Sequence, residues 1–216
     1  MSRLLTCMGC QDEAIEKICI LGMQGSGKTT LLHKYMSNSA DNINSETGVY
    51  IQYKTLENIQ INGNKYWAYD CKWKPNELQR RWKSYYEISK GIIFVVNVQD
   101  ILNEDILNDI KGELIEINCH MTNKDNFCDI HAKFCYKGHI PIFIFINKSD
   151  KYEGKKNIND LVIENLEIEK FKLKNICVKW GDVDQNFNEF KQGLGWLDTM
   201  ININKKEYPC FCSRYE

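Results

Sequence analysis

The sequence lacks several things that would narrow its class at once. It carries almost no net charge: 28 Lys and Arg stand against 29 Asp and Glu, leaving −1 at pH 7. No global field therefore draws nucleic acid or an anionic membrane. No long Lys/Arg run supplies a local one, so nucleic acid is not an expected partner. Long apolar runs are missing too. The strongest, at 91–98 and 140–146, are far too short to span a bilayer and read as buried strands. There is no signal-peptide pattern, no internal repeat and no linker that would divide the chain.

What is present fits one domain. The 216 residues are 43% hydrophobic and 26% charged, ordinary values for a soluble globular protein with one sizeable core. Ten cysteines would suit a disulfide scaffold, but such scaffolds are shorter and secreted. Cys19 and Cys177 sit inside apolar runs, where a thiol acts as a small hydrophobe. The expectation is a reduced, cytoplasmic protein.

Hydrophobic periodicity gives an order of elements. Residues 17–21 form an apolar strand, followed at once by a Gly-rich turn and a helix over 28–37. Two strands, 48–58 and 65–69, are expected to join through Asn62-Gly63 as a hairpin. A helix over 76–89 follows Pro75, then a buried strand at 92–96 and a helical pattern over 101–117 interrupted by Gly112. The remainder reads as a strand at 140–146, a helix at 158–165, a strand at 175–178 and a helix at 188–201. Strands alternating with helices predict an α/β three-layer sandwich: a mostly parallel, six-stranded sheet with helices on both faces. Ligands in such sheets bind at the carboxyl ends of the strands.

Two motifs stand at such ends. Gly22-Met23-Gln24-Gly25-Ser26-Gly27-Lys28-Thr29 matches G-x-x-x-x-G-K-[ST] between a strand and a helix. Its glycines let successive N–H groups turn inward on phosphate oxygens, and the helix adds its positive end. Lys28 is placed to reach the β and γ phosphates, and the Thr29 hydroxyl to ligate Mg²⁺. Asn147-Lys148-Ser149-Asp150 follows the strand at 140–146. The Asp150 carboxylate can accept from the N1–H and exocyclic amine of guanine, a donor pair that adenine lacks. The two motifs together predict a guanine nucleotide, GTP or GDP, held with Mg²⁺.

With these residues the chain resembles the Arf/Arl branch of the Ras-like small GTPases, over about 15–203. The likeness includes Gly27-Lys28-Thr29-Thr30, Gly91-Ile92-Ile93-Phe94-Val95-Val96 and Gly193-Leu194-Gly195-Trp196-Leu197. It implies that Met23 through Thr30 surround the phosphates, and that Val178 and Lys179 in Cys177-Val178-Lys179-Trp180-Gly181-Asp182 contact the base. Tyr50, Tyr69 and Tyr85 match aromatics that clasp the family's switch hairpin, with Trp82 nearby. Registering Tyr50 this way sets Thr47 on the switch-one threonine that ligates Mg²⁺; a shift by one would set Glu46 there. Asp70 would hold Mg²⁺ through a water. The resemblance further implies effectors, exchange factors, a monomeric state and a place in vesicle traffic at Golgi or other endomembranes.

The second switch departs from the family's D-x-G-G-Q, reading Asp70-Cys71-Lys72-Trp73-Lys74. Trp73 takes the place of the glycine whose N–H meets the γ-phosphate, and Lys74 that of the glutamine orienting the attacking water. A lysine cannot accept a hydrogen bond from that water. Gln24 crowds the γ-phosphate from the P-loop. Slow GTP hydrolysis is expected, with Lys74 as a charge-stabilising residue. The alternative is a non-hydrolysing scaffold that binds partners.

Three segments fall outside the domain's pattern: tails at 1–14 and 204–216, and an insertion at about 118–139. Cys128, His131, Cys135 and His139 within the insertion have spacings compatible with zinc. The expectation is a loop without stoichiometric metal. Ser2 stands where myristoylated relatives carry glycine, which excludes that anchor; Cys7 and Cys10 are candidates for acylation.

Overall fold

A computed structural model describes residues 15–37, 49–51, 54–71, 85, 88–122, 140–154, 157–170, 175–182 and 186–207. Seven strands form one sheet: β1 (Glu16–Leu21), β2 (Val49–Ile51), β3 (Lys54–Ile61), β4 (Asn64–Cys71), β5 (Gly91–Asn97), β6 (Ile142–Asn147) and β7 (Ile176–Trp180). Their order across the sheet is β2-β3-β4-β1-β5-β6-β7. The pairs made by β1, β5, β6 and β7 are parallel, and β2–β3 and β3–β4 are antiparallel. The mostly parallel sheet expected from the sequence is present. A seventh strand joins the expected six because 48–58 does not run straight. Val49–Ile51 folds back on Lys54–Leu56, pairing Ile51 with Lys54.

Alternation along the strands sends side chains to two cores. Ile18, Ile20, Tyr66, Ala68, Ile93, Val95, Phe143 and Phe145 pack under α1 (Lys28–Ser37) and α5 (Phe187–Glu207). Cys19, Leu21, Ile92, Phe94, Val96, Ile144 and Ile146 face the opposite way. They are covered by α2 (Val98–Ile101), α3 (Glu104–Thr122) and α4 (Ile158–Leu166). Helix α5 lies so close to β6 that a Cβ at Gly193 would stand 2.0 Å from the Phe143 ring.

The helical pattern at 101–117 resolves into two pieces for a local reason. Asn97 Oδ1 accepts from the Gln99 N–H at 3.1 Å, and Asn103 Oδ1 from the Ile106 N–H at 3.2 Å. Each asparagine caps a helix start. Gly112 does not interrupt α3, because a single glycine costs only about 1 kcal/mol in a long helix. The helix continues to Thr122, into the stretch taken as an insertion, and α5 continues to Glu207. No described helix is long and apolar enough to cross a membrane.

Because β4 and β5 both run parallel to β1, the carboxyl ends of β1, β4, β5, β6 and β7 share one edge. Both motifs lie there.

Candidate functional site

The chain leaves β1 at Leu21 and curls through three glycines with positive φ: Gly22 at 141°, Gly25 at 79° and Gly27 at 95°. Two of them admit no side chain. A Cβ on Gly22 would lie 2.0 Å from the Val95 carbonyl oxygen, and one on Gly27 2.2 Å from Asn147 Nδ2. Gly25 has open space on that side and is exposed. The loop closes through the Ser26 N–H to the Met23 carbonyl, and α1 begins with Leu31 N–H to Gly27 O at 2.9 Å. Met23 and Ser26 are buried, whereas Gln24 and Thr30 are exposed.

Lys28 folds back over this loop. Its Nζ donates to the Gly22 and Met23 carbonyls, each at 2.7 Å. Burial pushes the ammonium down from 10.5 to about 8, with nearby Asp70 partly offsetting that shift. Thr29 Oγ1 donates to Asp70 Oδ2 at the end of β4. The other oxygen, Asp70 Oδ1, is buried with no hydrogen-bond partner among the described residues. A hydroxyl that donates keeps its lone pairs for another group. Thr29 and Asp70 therefore present oxygens of the kind a hard divalent cation takes.

The second motif is bound to the first. Asn147 Nδ2 donates to the Ser26 carbonyl at 2.8 Å, while its Oδ1 is buried without a partner among the described residues. Lys148 adopts the left-handed conformation, φ 59°, and its Nζ donates to the Gly25 carbonyl at 2.8 Å. Asp150 follows in a single 3₁₀ turn, Ser149–Lys151, with its side chain exposed. The turn is held by Ser149 N–H to Gly181 O at 3.2 Å, and Gly181 N–H donates to Ile146 O at 2.9 Å. The segment after β7 thus packs on the Asn147–Asp150 loop.

Val178 and Lys179 themselves lie within β7. Lys179 Nζ pairs with Glu189 at 2.8 Å and with Gln192 at 3.2 Å, both on α5. Gly181 instead bonds the loop directly, and Asp182 after it is buried. Among the clasp aromatics, Tyr69 and Tyr85 meet with ring centroids 5.5 Å apart. The Tyr50 side chain, Thr47, Trp73, Lys74 and the Cys/His insertion from 123 to 139 lie outside the described residues, as do Ser2, Cys7 and Cys10.

Sequence reasoning missed α2's contribution. Gln99 Nε2 donates to the Lys151 carbonyl at 2.7 Å, bracing the 3₁₀ turn from β5's end. Asp100 is half-buried, and burial raises its carboxyl above the usual range while Lys148 and Lys28 pull it back. Only the position of these residues directly after a buried strand signalled them.

A mostly parallel sheet with this glycine cradle and lysine defines the class of P-loop α/β proteins. The chain belongs to the ADP-ribosylation factor family, whose sequence model matches residues 1–201. It is 32% identical over 134 residues to ADP-ribosylation factor-like protein 15 of Homo sapiens and of Pongo abelii, covering 62% of this chain and 54% of theirs. The Mus musculus protein of that name is 31% identical over 134 residues. The matched part is about half the length of these curated relatives. The solved Arl6 BBS3 small GTPase of Trypanosoma brucei, with bound nucleotide analogue GppNp, has a similar fold at TM-score 0.60 and 20% identity. That likeness covers 88% of this chain and 98% of the solved one.

Proposed function

We propose that this chain is a guanine-nucleotide-binding regulatory protein that holds GTP or GDP with Mg²⁺ and turns GTP over slowly. The observation carrying this reading is the bridge between its two motifs. Asn147 reaches the Ser26 carbonyl and Lys148 the Gly25 carbonyl, so the base-reading loop and the phosphate loop form one surface.

Each residue has a task on that surface. The backbone N–H groups from Gly25 to Thr29 and the first turn of α1 favour anionic oxygens. Lys28 Nζ donates to two carbonyls of the loop and, at 3.4 Å, to Ser26 Oγ, so it is held over the loop where phosphate can displace the longest of these bonds. Thr29 and Asp70 would hold Mg²⁺, which supplies charge that offsets the phosphate oxygens. Asp150, exposed in its braced turn, is free to read the guanine edge.

Slow turnover rests on Trp73 and Lys74 in the sequence, which replace the family's glycine and water-orienting glutamine. Effectors and exchange factors then act on the β2–β3–β4 side of the protein, and acylation at Cys7 or Cys10 attaches it to an endomembrane. Loss of membrane partition on Cys7→Ser with Cys10→Ser tests the anchor. The nucleotide itself is tested by denaturing protein purified with Mg²⁺ and separating what it releases. GDP or GTP in about one equivalent per chain is expected; ATP, or no nucleotide under loading with GDP, would sink the reading.

A further inference from the structure

Strand β5 ends at Asn97, and that last residue also starts α2. Asn97 is extended, with φ −78° and ψ 133°, and its Oδ1 accepts from the Gln99 N–H at 3.1 Å. Below this cap, Val98 and Ile101 are buried against the core. The four-residue helix is therefore held at its start and on its apolar side, and Gln99 is left exposed. From that fixed backbone, Gln99 Nε2 crosses to the Lys151 carbonyl at 2.7 Å.

That carbonyl ends the turn that carries Asp150. Lys148 enters in the left-handed conformation. The 3₁₀ turn Ser149–Lys151 then closes through Lys151 N–H to Lys148 O and Tyr152 N–H to Ser149 O, both at 3.1 Å. A helix has no internal donor for its last carbonyls, and Tyr152 beyond this one is extended. Gln99 supplies the donor from outside. On the entry side, Ser149 N–H donates to Gly181 O at 3.2 Å. The turn follows β6, and its two anchors follow the strands that flank β6 in the sheet, β5 and β7.

We propose that Gln99 is a positioning residue for base selection: by holding the Lys151 carbonyl, it sets the direction in which the Asp150 carboxylate meets guanine. The proposal rests on the nucleotide reading above and adds α2 to the elements that choose the base.

The chemistry of that contact makes direction matter. A carboxylate that accepts from the N1–H and the exocyclic amine together must lie near the plane of the base, with both bonds close to linear. Such a constellation tolerates only about 10–20° of misdirection. A three-residue turn anchored at one end can swing about that end, whereas anchors on both flanks remove the swing. The residue beside Gln99 acts on the same loop. The Asp100 carboxylate interacts electrostatically with the Lys148 ammonium, so α2 engages the loop near its start as well as at its end.

The test compares binding of GDP with that of inosine diphosphate, whose base keeps the N1–H and lacks the exocyclic amine, to the full chain. The wild type should prefer GDP. Gln99→Ala should lower that preference about three- to ten-fold, the contribution of one hydrogen bond. Gln99→Glu, equal in size but unable to donate, should lower it too, and Gln99→Arg, which can donate, should keep most of it. In an Asp150→Asn background, Gln99→Ala should change the ratio no further, because the group that Gln99 aims has been removed. An unchanged ratio in Gln99→Ala, or a fall that persists in full in the Asp150→Asn background, would overturn the proposal alone. Wild-type protein that binds neither diphosphate would defeat the nucleotide reading, and this proposal with it. Gln99 is exposed, so these variants leave the core intact.

Discussion

Thr29 and Asp70, on α1 and β4, are joined by a hydrogen bond from the threonine hydroxyl to one carboxylate oxygen. The bond leaves the threonine lone pairs, and the second Asp70 oxygen has no partner among the described residues, so both can meet a cation. Thr29→Val should raise the Mg²⁺ concentration needed to retain nucleotide by about 10–100-fold, the usual loss of metal affinity when a site's oxygen set is disturbed. Dissociation of a fluorescent GDP analogue across a Mg²⁺ series measures it. Retention that ignores Mg²⁺ in the wild type would refute this pairing's role.

Lys28 titrates near 8 because burial disfavours its charge. The protonated form is the one that attracts phosphate, so affinity should fall as pH rises through about 8, well before an ordinary lysine near 10.4 would respond. In folding terms the sign is opposite. The unfolded chain binds the extra proton between about 8 and 10.5, so this one group makes the empty protein more stable as pH rises through that window. Calorimetric titration of GDP from about pH 7 to 9 should show the fall, and Lys28→Arg, charged throughout, should remove that pH slope. An equal slope in both proteins would assign it elsewhere.

Asp150→Asn should shift preference from guanine toward xanthine, which offers an acceptor where guanine has its amine donor. Competition between GDP and XDP reads it directly. Undiminished selectivity for GDP would mean that Asp150 does not read the base.

Much of this site was legible locally. The P-loop and the Asn147–Asp150 loop follow apolar strands, and their residue types carry their chemistry within eight and four positions of sequence. Three features were not legible, each for its own reason. The helix start at Glu104 depends on the Asn103 cap, which a search for apolar periodicity passes over. The reversal between Ile51 and Lys54 has no glycine, proline or Asn-Gly pair to announce it. The buried Asp198 on α5 accepts from Asn62 and Tyr66 of the hairpin, 136 and 132 positions away, and no local pattern encodes such a meeting.

Hydrolysis should be slow and repairable. Intrinsic turnover is expected below the roughly 10⁻⁴ s⁻¹ of an ordinary small GTPase on the proposal that Lys74 replaces the glutamine that orients the attacking water. Trp73→Gly with Lys74→Gln should raise the single-turnover rate, and Lys74→Gln alone less so. Wild-type protein consuming bound GTP within seconds, unaided, would contradict this account of the second switch.

Gly193 gives a test of packing remote from the site. A Cβ there meets the Phe143 ring at 2.0 Å, and neither the ring nor α5 has room to retreat in the aromatic cluster with Phe145 and Phe190. Gly193→Ala should destabilise by about 1–3 kcal/mol, the range for overpacking a filled core. Gly112→Ala, with open space around it on α3, should instead stabilise by about 0.5–1 kcal/mol. Urea unfolding of the pair checks both signs.

The grip of Asp198 on the hairpin also sets a timetable for synthesis. Tyr66 leaves the ribosome 132 residues before its partner. At 5–20 residues per second the hairpin waits on the order of ten seconds with its turn asparagines and phenol unclaimed. Over that interval β3 and β4 can pair with each other, but the α5 carboxylate that accepts from Asn64 and Tyr66 is not yet made. Ribosome-bound chains stalled with residue 190 exposed should therefore show Cys71 open to alkylation, and chains stalled beyond residue 207 should show it closed. Equal protection at both lengths would mean that the alignment is settled before the last helix is made.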